Sequence, residues 1–111
     1  MKIVNRSDFL SLPVGTLFSK YKPCVFGPLE IKGDNIGRND FSAQQIADAV
    51  YASDSGEFAD ILFDAEENGS NFKMDLNCEG RDGLFDDDQL FAVWERDDVL
   101  SLIERLQRTI T

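Results

Sequence analysis

Apolar and polar positions change rhythm several times along this 111-residue chain, and each rhythm predicts a different element. Near the start, Ser7 can cap a short helix over Asp8 to Leu12, which Pro13 stops because the residue before a proline is pushed out of the helical region. After a turn at Val14-Gly15, Thr16 to Lys22 alternates and carries Leu17, Phe18 and Tyr21, while Cys24 to Lys32 alternates Leu29 and Ile31 with Glu30 and Lys32. Both runs read as strands. Gly33-Asp34-Asn35 and Gly37 to Asp40 carry loop chemistry. Ser42-Ala43-Gln44-Gln45 fits a capping box that opens a helix to about Ala52, although Val50 and Tyr51 would also suit a strand.

Between Phe58 and Cys78 the period looks like two. Ile61, Phe63 and Ala65 alternate with acids on one side of Asn68-Gly69, and Phe72, Met74, Leu76 and Cys78 alternate with polar residues on the other, which predicts a β-hairpin with one wet face. Gln89 to Glu95 predicts a further strand. Val99, Leu102, Ile103, Leu106 and Ile110 then recur at helical spacing behind a cap at Asp97 or Asp98, with Arg105 and Arg108 near the end that the helix dipole makes negative. The expected architecture is a single α+β domain spanning 1–111. It has a mainly antiparallel sheet of four to six strands, one or two short helices, and the C-terminal helix packed across one face.

Composition narrows the chemistry. There is no His, and the two Cys cannot form a four-thiolate site, so Ser-His-Asp, Cys-His and His-bearing zinc sites are all excluded. The first dozen residues carry Lys2, Arg6 and Asp8 without an apolar h-region, and no run is long enough to cross a bilayer. A cytoplasmic location, with no membrane contact and with Cys24 and Cys78 as reduced thiols, is the expectation.

Charge is divided unequally. Residues 1–38 hold six bases and three acids, whereas residues 39–111 hold five bases and 18 acids, giving −10 for the whole chain. Bare nucleic acid is an improbable ligand for such a chain, because association would begin against Coulomb repulsion. Between Asp54 and Asp98 there are 15 acids and three bases, a density that costs stability through self-repulsion. On a hairpin, Asp60, Asp64 and Glu66 beside Asp75 and Glu79 would set carboxylates in rows roughly 6.6 Å apart, at spacings comparable to backbone phosphates, with Glu67, Asp82, Asp86, Asp87 and Asp88 extending the surface. The competing reading is that these acids only solubilise a small domain.

The remaining motifs carry less. Asp64-x-Glu66-x-Asn68-Gly69, with Asp75 at the twelfth position, approaches a calcium loop but lacks its bidentate Glu, and Asp86-Asp87-Asp88 has poor ligand spacing. Glu30-Ile31-Lys32 has the E-x-K spacing of metal-dependent nucleases, without the other residues such a site needs. Cys24 reads as an inert buried thiol. Phe18, Tyr21, Phe26, Phe63, Phe72, Phe91 and Trp94 read as core rather than a base-stacking platform. No metal, cofactor or catalytic residue is expected.

The opening, Phe9-Leu10-Ser11-Leu12-Pro13-Val14-Gly15-Thr16-Leu17-Phe18-Ser19-Lys20-Tyr21, followed by Phe26-Gly27-Pro28-Leu29-Glu30-Ile31-Lys32-Gly33-Asp34, resembles small proteins of bacteriophages and prophages. The resemblance covers about the first third of the chain and brings no catalytic residues. It implies an accessory protein of the kind that neutralises host systems, including DNA mimics directed at restriction or CRISPR complexes. The basic first third departs from the most extreme mimics and favours a one-sided acidic face. The leading expectation is a non-enzymatic protein that binds and inhibits a basic, nucleic-acid-handling host protein in the host cytoplasm. Two alternatives stand beside it: a small-molecule or nucleotide-sequestering domain drawing on Lys20, Lys22, Lys32 and Arg38, and an acidic scaffold.

Overall fold

A computed structural model of the chain describes residues 1–111. Six antiparallel strands form one sheet in the order β1-β6-β2-β3-β4-β5. The strands are β1 (Lys2–Val4), β2 (Leu17–Lys22), β3 (Val25–Ile36), β4 (Asp40–Gln45), β5 (Gly80–Arg81) and β6 (Leu90–Val93), with helices α1 (Arg6–Leu10), α2 (Ser55–Asn68) and α3 (Arg96–Gln107). The α+β class, the antiparallel sheet and the C-terminal helix agree with the sequence pattern.

The early hairpin forms as its alternation requires. Lys22 pairs with Val25 across a turn in which Cys24 adopts φ +65° behind Pro23. Cys24 is therefore an exposed turn residue, not a buried thiol. Strand β3 runs on through Gly33-Asp34-Asn35, and the reversal comes only at Gly37, whose φ of +63° suits a residue without a Cβ. Gly33 matters for a different reason. A Cβ there would run into the Ser42 hydroxyl and the Glu79 carboxylate, so a side chain at this position would push both aside and disturb the hydrogen bond between them.

Two predicted elements are overturned. Asp40–Gln45 is strand β4, not the start of a helix, because Phe41 and Ala43 alternate inward and the chain is hydrogen-bonded on both sides, to β3 and β5. The segment expected as a hairpin is helix α2. Its N-cap Asp54 accepts from Glu57 N–H at 2.7 Å, and its C-cap Gly69 sits in the left-handed region at φ +70°, so the Asn-Gly pair ends a helix instead of turning a hairpin. Beyond it the chain is irregular, held by a bridge between Val50 and Met74 and by the Tyr51 N–H to Lys73 carbonyl bond.

The core is aromatic and lies on one face of the sheet. Register places Phe18 beside Val93 and Lys20 beside Phe91, and short helix α1 lays Phe9 over them. Phe9 stacks on Phe91 at 3.9 Å between ring centres and meets Phe18 and Phe41 edge-on at 4.7 and 5.0 Å. All four rings are fully buried, whereas Phe26, Phe63 and Phe72, which hydropathy would place inside, are exposed. Of the helices it is α1, with only five residues, that seals the core.

The longer helices bury no residue completely. The stripe of α3 leaves Ile103 46% and Leu106 54% exposed, so this helix does not cover the sheet as its periodicity suggested. The radius of gyration is 15.8 Å, against about 13 Å for a closely packed chain of this length.

Candidate functional site

Because Ser55–Asn68 is helical, its acids are sorted by a period of 3.6. Glu57, Asp60, Asp64 and Glu67 recur at intervals of three and four and line one side of α2, with Cβ atoms about 5–6 Å apart. Phe58, Ile61, Leu62 and Ala65 turn to the half-buried side. Glu66 points away from the acidic row, so the predicted grouping of Asp60, Asp64 and Glu66 is not formed, and Glu57 takes the place expected of Glu66. Helix α2 contains no Lys or Arg, and none of its acids takes part in an ion pair within 4 Å. Asp64 is held below the usual carboxylate range by hydrogen bonds from the Ser70 and Asn68 side chains. Phe63, 59% exposed, lies between Asp60 and Glu67 at the edge of the row.

The other predicted acids are dispersed. Asp75 and Glu79 belong to the irregular segment before β5, where Asp75 Oδ1 accepts from Asn77 N–H at 3.0 Å and Glu79 Oε2 accepts from Ser42 Oγ at 3.0 Å. They do not face α2 as the partner strand of a hairpin. Asp86, Asp87 and Asp88 lie exposed in the turn before β6, where Asp87 Oδ1 accepts from Asn39 Nδ2 at 2.8 Å. Asp64 to Asn68 is helical, so the calcium-loop spacing does not close into a loop. No three acidic or thiol side chains converge on one point.

Asp82 departs furthest from expectation. Its side chain is 3% exposed and its two oxygens take Lys20 Nζ and Arg6 Nη2, so it is no part of an exposed acidic face. The Asp82–Lys20 pair borders a cleft of about 400 Å³ at the β3–β4–β5 side of the sheet, lined by Glu30, Gln44, Gln45, Asp48 and Arg81 among others. Glu30 is 6% exposed, has no cation within 4 Å, and is pushed above the usual carboxylate range by burial, against the opposing pull of Lys20. Gln44, 4% exposed, gives its amide N–H groups to the Gln45 and Asp75 carbonyls and leaves Oε1 without a partner.

The basic pocket expected of Lys20, Lys22, Lys32 and Arg38 does not form, since only Lys20 reaches this cleft. Lys32 is 2% exposed, 5.8 Å from the centre of the Phe9 ring, and donates to Asn35 Oδ1 at 2.9 Å. Burial lowers its pKa. Lys22 is exposed at the end of β2 and Arg38 in the turn between β3 and β4. Glu30 and Lys32 therefore do not act on a shared point, as the E-x-K reading would require.

Asp40 is fully buried beside this region. Burial would raise its pKa, but hydrogen bonds from Arg81 and from the Gly83 and Phe41 N–H groups outweigh that and hold it at about 2.

No helix is long and apolar enough to cross a membrane. Comparison with protein-family models, with curated proteins and with solved structures finds no match to this chain.

Proposed function

We propose that this chain is a non-catalytic interaction protein that lays the carboxylate row of α2 on the basic, nucleic-acid-handling surface of a partner protein and so blocks that partner's access to nucleic acid. The observation that carries this reading is the unopposed row Glu57, Asp60, Asp64 and Glu67 on a helix without a single base, with Phe63 exposed at its edge. Like charges three and four residues apart weaken a helix. A surface that only had to keep the chain dissolved would gain more from mixed signs. A repeating line of negative charge complements a groove built for phosphates, and an aromatic beside it supplies the apolar anchor that fixes tight interfaces. A phage or prophage origin and action in a host cytoplasm fit this role and belong to the same proposal.

Capture from bacterial lysate followed by competition tests it. Duplex DNA should elute the captured protein, and Glu57→Gln/Asp60→Asn/Asp64→Asn/Glu67→Gln should fail to capture it. Retention of the partner by that variant, or indifference to DNA, would overturn the reading.

A second reading rests on the cleft. Buried Glu30 without a close cation and the unpartnered Gln44 Oε1 are acceptors, while Lys20 and Arg81 are already matched by Asp82 and Asp40. Such a lining suits the N–H edge of a nucleobase better than a phosphate. Thermal shifts with nucleosides and with inorganic phosphate separate the two chemistries.

A further inference from the structure

Helix α3 combines an apolar stripe left half in solvent with a charge pattern complementary to its own reverse, and from this we infer that it is the contact through which two copies of the chain pair, antiparallel, helix against helix. Val99, Leu102, Ile103, Leu106 and Ile110 form the stripe, and Ile103, Leu106 and Ile110 are 46%, 54% and 86% exposed. Nothing else in the chain covers them, and exposed apolar side chains aligned in this way mark a surface that is buried on association.

Charge selects the occupant. The chain as a whole carries −10, yet from Arg96 to Arg108 there are three bases, Arg96, Arg105 and Arg108, and three acids, Asp97, Asp98 and Glu104. Two copies that repel one another over most of their surface can therefore approach along α3 without penalty. Asp98 and Arg105 are seven residues apart, two helical turns, and so lie on one flank of the stripe. In an antiparallel pair centred between Ser101 and Leu102, that flank of one helix meets the same flank of the other. Asp98 of each copy then faces Arg105 of its mate, and the two-fold axis makes the contact twice. A parallel pair gives neither ion pair and aligns the helix dipoles unfavourably. Asp98 is free to serve, because the Glu95 N–H and the Met1 ammonium both use Oδ2, at 3.0 and 2.8 Å, and leave Oδ1 open.

Sedimentation equilibrium across the micromolar range provides the test. The wild type should approach twice the 12.5 kDa of one chain as concentration rises. Ile103→Asp should stay at the mass of one chain with an unchanged circular dichroism spectrum, since that side chain is not part of the chain's own core. Asp98→Lys and Arg105→Glu chains should each be monomeric alone, because each doubles a like-charge contact, and should associate when mixed, because the mixture restores both opposite pairs. A wild type that remains monomeric throughout would overturn the proposal, as would dimerisation of Ile103→Asp to the same extent as wild type. If the Asp98→Lys chain loses its spectrum through loss of the helix cap, Arg105→Glu alone decides: association undiminished at low salt would refute the charge pairing.

Discussion

Arg6 and Asp82 stand 76 residues apart in the chain and meet at 3.4 Å, with 4% and 3% of their side chains exposed. Lys20 takes the other oxygen of the same carboxylate. One acid from the segment after β5 thus pairs with a base from α1 and another from β2, and ties the sheet's late edge to the helix that seals its core. Removing one member of such a group leaves buried charge uncompensated. Asp82→Asn should cost about 3–5 kcal/mol, read as a lower midpoint in urea. An unchanged midpoint would mean the group is relaxed and hydrated in solution.

The aromatic cluster and the C-terminal stripe should respond differently to truncation. Phe9→Ala removes the ring that touches Phe18, Phe41 and Phe91 and should cost about 3–5 kcal/mol. Leu106→Ala, at a position 54% exposed, should change the melt of the dilute, dissociated chain by about 0.5 kcal/mol or less. Equal losses at the two sites would show that α3 packs within the chain after all.

Acid should destabilise the chain through Asp40. The native carboxyl titrates at about 2 and the ordinary value is 3.8, so between pH 4 and 2 the unfolded chain binds a proton that the native chain refuses. Stability should fall as pH drops through that window. Asp40→Asn should be weaker at neutral pH and lack this acid limb, which denaturant midpoints across pH will reveal.

Glu30 should act in the opposite sense. Burial raises its native pKa above 4.5, so the native chain holds the proton longer and stability should decline as pH rises from 4.5 through the native value. Glu30→Gln should remove that decline and be the more stable protein at pH 7. A profile identical to wild type would mean that water reaches the carboxylate in solution.

Neutralising the α2 row should separate stability from binding. Glu57→Gln/Asp60→Asn/Asp64→Asn/Glu67→Gln relieves repulsion worth about 0.2–0.5 kcal/mol per neighbouring pair but replaces the Asp64 carboxylate that Ser70 and Asn68 hydrogen-bond, so the two effects oppose and the variant should melt close to wild type at low salt. Partner capture should nevertheless be lost. Thermal melts at two ionic strengths, run beside the capture assay, show whether binding is lost without stability.

The elements read correctly from sequence were those whose signals are local. Leu29 and Ile31 against Glu30 and Lys32 specified β3, and Val99 to Ile110 specified α3, because a single period was available to each. Phe58 to Glu67 was misread because two periods coexist. Ile61, Phe63 and Ala65 alternate like a strand, while Phe58, Ile61, Leu62 and Ala65 repeat like a helix. The caps at Asp54 and Gly69, which decide between them, are equally at home in a hairpin.

The amino-acid sequence by itself determined the class of the fold, the early hairpin, the final helix and the concentration of acid in the second half, since each follows from neighbouring residues and from counting. Only the tertiary structure decided which acids share a surface. Asp82 and Asp60 are alike as residues in an acidic stretch, yet Asp82 is buried against Arg6 and Lys20 while Asp60 lies on an exposed helical row. The difference is physical: a carboxylate can leave water only where cations from distant parts of the chain replace the solvent around it. The same holds for Ser42-Ala43-Gln44-Gln45, whose capping pattern gave way because Phe41 had to reach the rings of Phe9, Phe18 and Phe91, a requirement set by residues more than 20 positions away on either side.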